Sequence, residues 1–256
     1  MEVTRIRPGP RLAPFVDQFM IVESREEATR MLLPERGLLL GIRYAGAATQ
    51  LEGAREIRLG HSTLTGILAT VRHMRTHAGG GIIVAHFRTT GAAAFFRAPL
   101  FEIFGATVPL EGLWPRAGVA RLADRIAAER DHAGRAARLE EFLLARLQPD
   151  PPDPFVAAAV RALEESHGAV RIAQLARTLG ISQDPLEKRF RRAVGASPKQ
   201  LASLIRVRHA IEIGRRGATW SQVAHEAGYF DQSHFNREFR AIAGAPPTLF
   251  FRGEHC

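Results

Sequence analysis

Gln232, Ser233, Asn236, Arg237 and Arg240 fall at one-, three- and four-residue spacings around two phenylalanines, Phe235 and Phe239. On a helix that spacing turns the rings to one side and the polar groups to the other. Glutamine and asparagine can pair two hydrogen bonds with the edge of adenine, and arginine can do so with guanine, which is the chemistry of base reading in a DNA major groove. The plain alternative is a solvated polar face. A related set, Gln183, Glu187, Lys188 and Arg191, surrounds Leu186 and Phe190 about fifty residues earlier. Its chemistry is less suited to DNA. Lys188 matches a phosphate, whereas Glu187 is repelled by phosphates and can only accept a hydrogen bond from a cytosine amino group. Asp184, before Pro185 and three residues before Glu187, reads as a helix cap, as does Asp231.

Other chemistries find less support. His61, His73, His77 and His86 are loosely spaced with no accompanying glutamate pattern, so a metal site is not expected. Gly79-Gly80-Gly81 lacks the lysine and hydroxyl residue of a phosphate loop, and no nucleophile sits in a recognisable elbow. The reading is therefore not an enzyme, with no cofactor and no catalytic residues. The lone Cys256 permits neither an internal disulfide nor a thiolate metal site. No apolar run reaches signal-peptide or membrane-spanning length, so a soluble cytoplasmic protein with no membrane partner is expected.

The elements that must hold the polar groups repeat. Ile172–Gly180 reads as a short helix closed by a glycine turn, followed by a second helix with Leu186, Phe190 and Val194 inward. Trp220–Gly228 repeats the pattern. Ala176 and Gly180 match Ala224 and Gly228 at an offset of 48, and Leu186, Phe190, Gly195 and Pro198 match Phe235, Phe239, Gly244 and Pro247 at 49. The extra residue falls in the turn, where insertion costs least. Ser197-Pro198-Lys199-Gln200 is a strong helix start. The helix it opens, to about Arg215, joins the two units as a rod of about 24 Å. Arg206, Arg208, Arg215 and Arg216 are candidates for phosphate contact, although solubility explains them equally well.

Pro149, Pro151, Pro152 and Pro154 mark a stiff linker. The expected division is a β-rich part at 1–148, a linker at 149–154, and a helical part at 155–256. Residues 155–256 hold fifteen Lys and Arg against nine Asp and Glu, so six of the nine formal positive charges fall there. That concentration suits a nucleic-acid partner. In the first part, strands are expected at Gly37–Tyr44, Thr70–Thr76 and Ile82–Phe87, with a helical pattern from Gly91. Two amphipathic helices, in 117–130 and 134–147, pack on the sheets or pair with another subunit. The fold class is α+β, a β-rich barrel with trailing helices followed by an all-α domain.

The run Ala224-His225-Glu226-Ala227-Gly228-Tyr229-Phe230-Asp231-Gln232-Ser233-His234-Phe235-Asn236-Arg237-Glu238-Phe239-Arg240, closing at Gly244-Ala245-Pro246-Pro247, resembles the second helix-turn-helix of AraC/XylS-type transcription regulators. The resemblance covers about 170–252. The first part resembles the cupin-like sensor regions attached to such domains, through Leu12–Val16, Leu33–Gly37 and the Phe87-Arg88 to Phe95-Phe96 region. The resemblance implies double-stranded promoter DNA as partner, with Gln232 and Arg237 facing it. It also implies a small organic effector in the first part, RNA polymerase as partner of an activator, and a possible homodimer. In the first unit the family's base-facing positions fall on Asp184, Glu187 and Lys188, which departs from glutamine- and arginine-rich chemistry. Two other classes stay open: a metal-binding cupin-type enzyme with an accessory DNA-binding domain, and a non-specific architectural DNA binder.

Overall fold

The computed structural model describes residues 1–148 and 151–253. Pro149 and Asp150 of the expected linker, and Cys256, lie outside them. The chain begins with ten strands: β1 (Glu2–Ile6), β2 (Val16–Ser24), β3 (Ala28–Leu32), β4 (Leu39–Ala45), β5 (Ala48–Glu52), β6 (Arg55–Arg58), β7 (Ser62–Thr65), β8 (Arg72–Thr76), β9 (Gly80–Phe87) and β10 (Thr107–Pro109). They form two antiparallel sheets, ordered β1-β2-β9-β4-β7-β10 and β3-β8-β5-β6. The strand content therefore starts well before Gly37–Tyr44, the first strand expected from the sequence. From Gly91 the expected helical pattern is instead a series of 3-10 turns, at Gly91–Ala94, Leu100–Ile103 and Leu110–Gly112.

Period-two alternation divides the large sheet into two unlike faces. Phe19 and Ile21 on β2, Leu40 and Ile42 on β4, Leu64 on β7, and Ile83 and Ala85 on β9 are fully buried. Helices α1 (Arg116–Ala128) and α2 (His132–Leu144) cover this face, burying Val119, Leu122, Ile126, Leu139 and Leu143. Of the two roles open to these helices, packing on the sheet is the one the structure shows, because their apolar faces are consumed by it. The opposite face carries Met20, Val22, Ile82, Val84 and His86, all only half-buried, and looks toward the smaller sheet.

Beyond Asp153 the described chain is helical: α3 (Pro154–Glu165), α4 (Ile172–Thr178), α5 (Gln183–Val194), α6 (Pro198–Gly214), α7 (Trp220–Glu226), α8 (Gln232–Ala243) and α9 (Pro247–Gly253). Asp153 caps α3 by accepting from Phe155 N at 2.9 Å, with Pro154 at the first helical position. After α3 the chain reverses through His167 and Gly168, both at positive φ. Gly168 passes so close to α6 that a Cβ there would strike the Ala202 carbonyl.

The sheets and the helical domain are tied together directly. The Ile242 carbonyl, near the end of α8, accepts from Val71 N at 2.9 Å and from Thr70 Oγ1 at 3.2 Å. Gly195, just past α5, sits against Leu100 of the second 3-10 turn. Arg208 on α6 donates to the Pro34 carbonyl at 2.7 Å and pairs with Glu35 at 3.2 Å. Arg208 therefore faces the sheets and not a phosphate. Removing this partly exposed donor in Arg208→Ala should cost about 1–2 kcal/mol, since hydrogen bonds to charged groups exceed neutral ones. Urea unfolding of the full chain should show a lower midpoint, and an unchanged midpoint would remove Arg208 as a tie between the two parts.

Candidate nucleic-acid interface

In the first unit α4 ends at a turn where Gly180 takes φ 67°, and α5 follows. The sequence reading made Asp184 the cap of α5 with Pro185 first in the helix. The structure starts the helix two residues earlier, with Ser182 at the cap position and no side-chain bond closing it. Asp184 instead lies in the first turn, where its carboxylate complements the helix dipole. Leu186, Phe190 and Val194 are buried. Gln183, Lys188 and Arg191 are exposed, and Glu187 is half-buried. Arg191 lies 3.9 Å from Glu187 one turn back, and its guanidinium is 5.6 Å from the ring of Phe101. Phe101 comes from the 3-10 turn Leu100–Ile103 and lines, with Asp184, Glu187, Lys188 and Arg191, a groove of about 470 Å³. This face of α5 is thus partly turned toward the sheets. Sequence reasoning missed Phe101, whose only signal is a large ring left 40% exposed.

The second unit is more open. Thr219 and Gln222 form a reciprocal capping box at the start of α7, and Gly228 makes the turn at φ 75°. Asp231 caps α8 by accepting from His234 N at 2.6 Å, as its position suggested. Phe235 and Phe239 are fully buried within a cluster of rings that includes Tyr229, Trp220, Phe250 and Phe251. The last two rings belong to α9, which the sequence reading did not place. Gln232, Ser233, Asn236, Arg237 and Arg240 are all exposed, on one side of α8, so the structure brings these five together. Phe230, at the tip of the turn, is 93% exposed beside them and was also missed.

Helix α6 holds the units in place. Ser197 and Gln200 close its capping box, and nine of its residues are buried, among them Leu201, Leu204, Ile205, Ala210 and Ile211. Its seventeen residues span about 25 Å. Arg206 does not reach outward. Its Nε lies 3.8 Å from Glu238 of α8, and its guanidinium stacks 5.1 Å from the Tyr229 ring. Glu238 also accepts from Ser203 Oγ at 2.5 Å. Burial and the neighbouring Glu238 raise the Tyr229 phenol far above its ordinary value, so it stays neutral. This small network fixes α8 on α6. Of the four arginines considered for phosphates, Arg206 and Arg208 are thus committed to protein contacts.

Of the histidines, His77 uses both ring nitrogens, on Glu27 and Thr49, each at 3.1 Å. Among the described residues no three metal-capable side chains are grouped. Among the described residues no helix is long and apolar enough to cross a membrane.

Residues 175–253 match the Helix-turn-helix domain family, a stretch that holds both units from α4 to α9. A protein of Streptomyces lividans named as an AraC-like transcription regulator is 33% identical over 97 residues. Residues 175–253 form a helix-turn-helix domain that is similar in sequence to this AraC-like relative. The aligned stretch is 37% of this chain and 32% of the Streptomyces protein, so the match spans about a third of that relative. ToxT from Vibrio cholerae shares the fold across both parts, with a TM-score of 0.50 over 91% of this chain and 97% of that one, at 13% identity. Residues 4–109, ahead of the helix-turn-helix domain, match a Domain of unknown function (DUF6597).

The two units of the helix-turn-helix domain differ in how their second helices begin. Asp231→Ala removes a bonded cap from α8 and should cost about 1 kcal/mol. Ser182→Ala removes no cap bond from α5 and should stay within about 0.5 kcal/mol. Equal losses for the two variants in chemical unfolding would contradict the asymmetry.

Proposed function

We propose that this protein is a sequence-specific DNA-binding transcription regulator whose AraC-type domain places α5 and α8 in successive major grooves. The observation that carries the reading is the exposed face of α8, where Gln232, Ser233, Asn236, Arg237 and Arg240 stand together on a helix fixed to α6. Arg237 and Gln232 supply two-bond donors and acceptors for purine edges. On α5, Lys188 serves the phosphate backbone, as Gln183 and Arg191 can once the groove beside Phe101 opens. Glu187, held near Arg191, contributes least. A rod of about 25 Å, with the width of two helices, suits grooves about 34 Å apart.

The working division is 1–148, 149–154 and 155–256, with the sheets holding a small organic effector. One copy carries both reading helices, so an asymmetric pair of half-elements is the matching site. The protein acts on double-stranded DNA in the cytoplasm and performs no catalysis.

Selection of sites from random duplex DNA by the full chain should return two half-elements about one helical turn apart. A pool with no enriched motif would instead indicate non-specific binding. Arg237→Ala should lose about 1–3 kcal/mol and relax preference at one base pair. Lys188→Ala should weaken all sequences alike and lower the salt dependence by about one counterion. An Arg237→Ala protein that binds its selected site unchanged would remove α8 as the main reader.

A further inference from the structure

The half-buried face of the large sheet looks into the space between the sheets, and that space is basic. Arg43 on β4 stands beside Ile82 of β9, which pairs in turn with Val22 of β2. The Arg43 side is the face opposite Leu40 and Ile42, so it points away from α1 and α2. Arg43 is only 4% exposed, its Nε is buried without a partner, and no carboxylate or hydrogen-bond acceptor meets its guanidinium among the described residues.

Two more arginines approach from the smaller sheet. Arg72 on β8 reaches across and donates to Thr107 of β10 at 2.8 Å, which shows that the two faces oppose each other. Its Nε is likewise buried without a partner. Arg30 on β3 pairs in register with Met74 of β8, and Gln50 of β5 completes that row. Counted from the end where Gly46 meets Gly80, the rows of Arg43 and Arg30 are each the second, and Arg72 belongs to the next. None of the three has a carboxylate partner among the described residues. Burial alone disfavours the charge on each of them.

Arginine does not give up its proton in a protein. A buried guanidinium without a counter-ion is therefore a standing cost that a bound anion would relieve. The surroundings suit an anion with an apolar body. Met20, Val22, Ile82 and Val84 form two adjacent cross-strand rows and remain half-exposed.

We propose that the space between the two sheets binds a small organic anion, whose carboxylate or phosphate group meets Arg43 with Arg30 and Arg72 flanking it, and whose apolar part lies on Met20, Val22, Ile82 and Val84. This rests on the effector reading above and names the chemical class of the effector. Thr63 and Thr107 at the border of the space offer hydroxyls to a second polar group.

The test is thermal unfolding of the full chain with benzoate, hexanoate, phenyl phosphate and inorganic phosphate, against neutral benzamide and hexanamide. At least one organic anion should raise Tm by several degrees while its neutral amide does not. A response to the carboxylates or to phenyl phosphate distinguishes the two head groups. In Arg43→Met the anion response should vanish, and Tm in anion-free buffer should rise because the uncompensated charge is gone. Arg43→Lys should keep a weaker response, and serves if Arg43→Met does not fold. The proposal is overturned if no organic anion shifts Tm, if inorganic phosphate acts as strongly as the organic anions, or if the Arg43 variants respond like the wild type. DNA binding measured on the same anion-free preparation separates the cases. Specific binding without any anion response overturns this inference alone, whereas absence of specific binding overturns the regulator reading.

Discussion

The proposed DNA binding requires α5 and α8 to act together, and two short helices can do so only if something stiff fixes the distance between them. Here that constraint is met by the burial of α6, which gives apolar side chains to neighbours all around its axis: α3 and α5 on one side, α7 and α8 on the other. No polar stripe runs along it, which is unusual for a helix in a small domain. Two of its charged residues are absorbed as well, Arg206 by Glu238 and Arg208 by Glu35 and Pro34. A helix committed in this way cannot bend or roll without opening several interfaces at once. The separation of α5 and α8 follows from it.

Much of the helical domain was legible because its signals are local. Capping boxes at Ser197 and Thr219, turn glycines at Gly180 and Gly228, and four-residue spacing of Phe235 and Phe239 each depend on neighbours in the chain. The start of α5 was misplaced because Asp184-Pro185 offers a good helix opening, while packing of the preceding turn already sets helical geometry at Gln183. The first part was harder to read. In β2, Phe19 and Ile21 alternate with Met20 and Val22, so both faces look apolar and the period-two signal is weak. The 3-10 turns after Gly91 contain helix-favouring alanines and are held by contacts distant in sequence. What lay beyond reach was the relation between the parts. Neither the phosphate reading of Arg208 nor the open face of α5 could be judged without knowing that the sheets stand beside them.

The two units have diverged in exposure as well as in chemistry. Helix α8 offers amide and guanidinium groups to solvent with its start closed by Asp231. Helix α5 presents mixed charges, a start without a side-chain cap, and a neighbour in Phe101. In the proposed function, α8 is the helix that chooses the sequence and α5 the one that holds the duplex.

The sheets touch the helical repeat at equivalent places. Leu100 rests on Gly195 just after α5, and Val71 bonds to Ile242 and rests on Gly244 just after α8. Both glycines take positive φ, 90° and 74°, and they are the same position of the duplicated unit. The first part therefore grips the reading head like a pair of calipers, with one jaw on each helix. The two parts are consequently not interchangeable modules. Grafting this helical domain onto another N-terminal domain would leave both contacts without a counterpart, unless the surfaces around Val71 and Leu100 travelled with it.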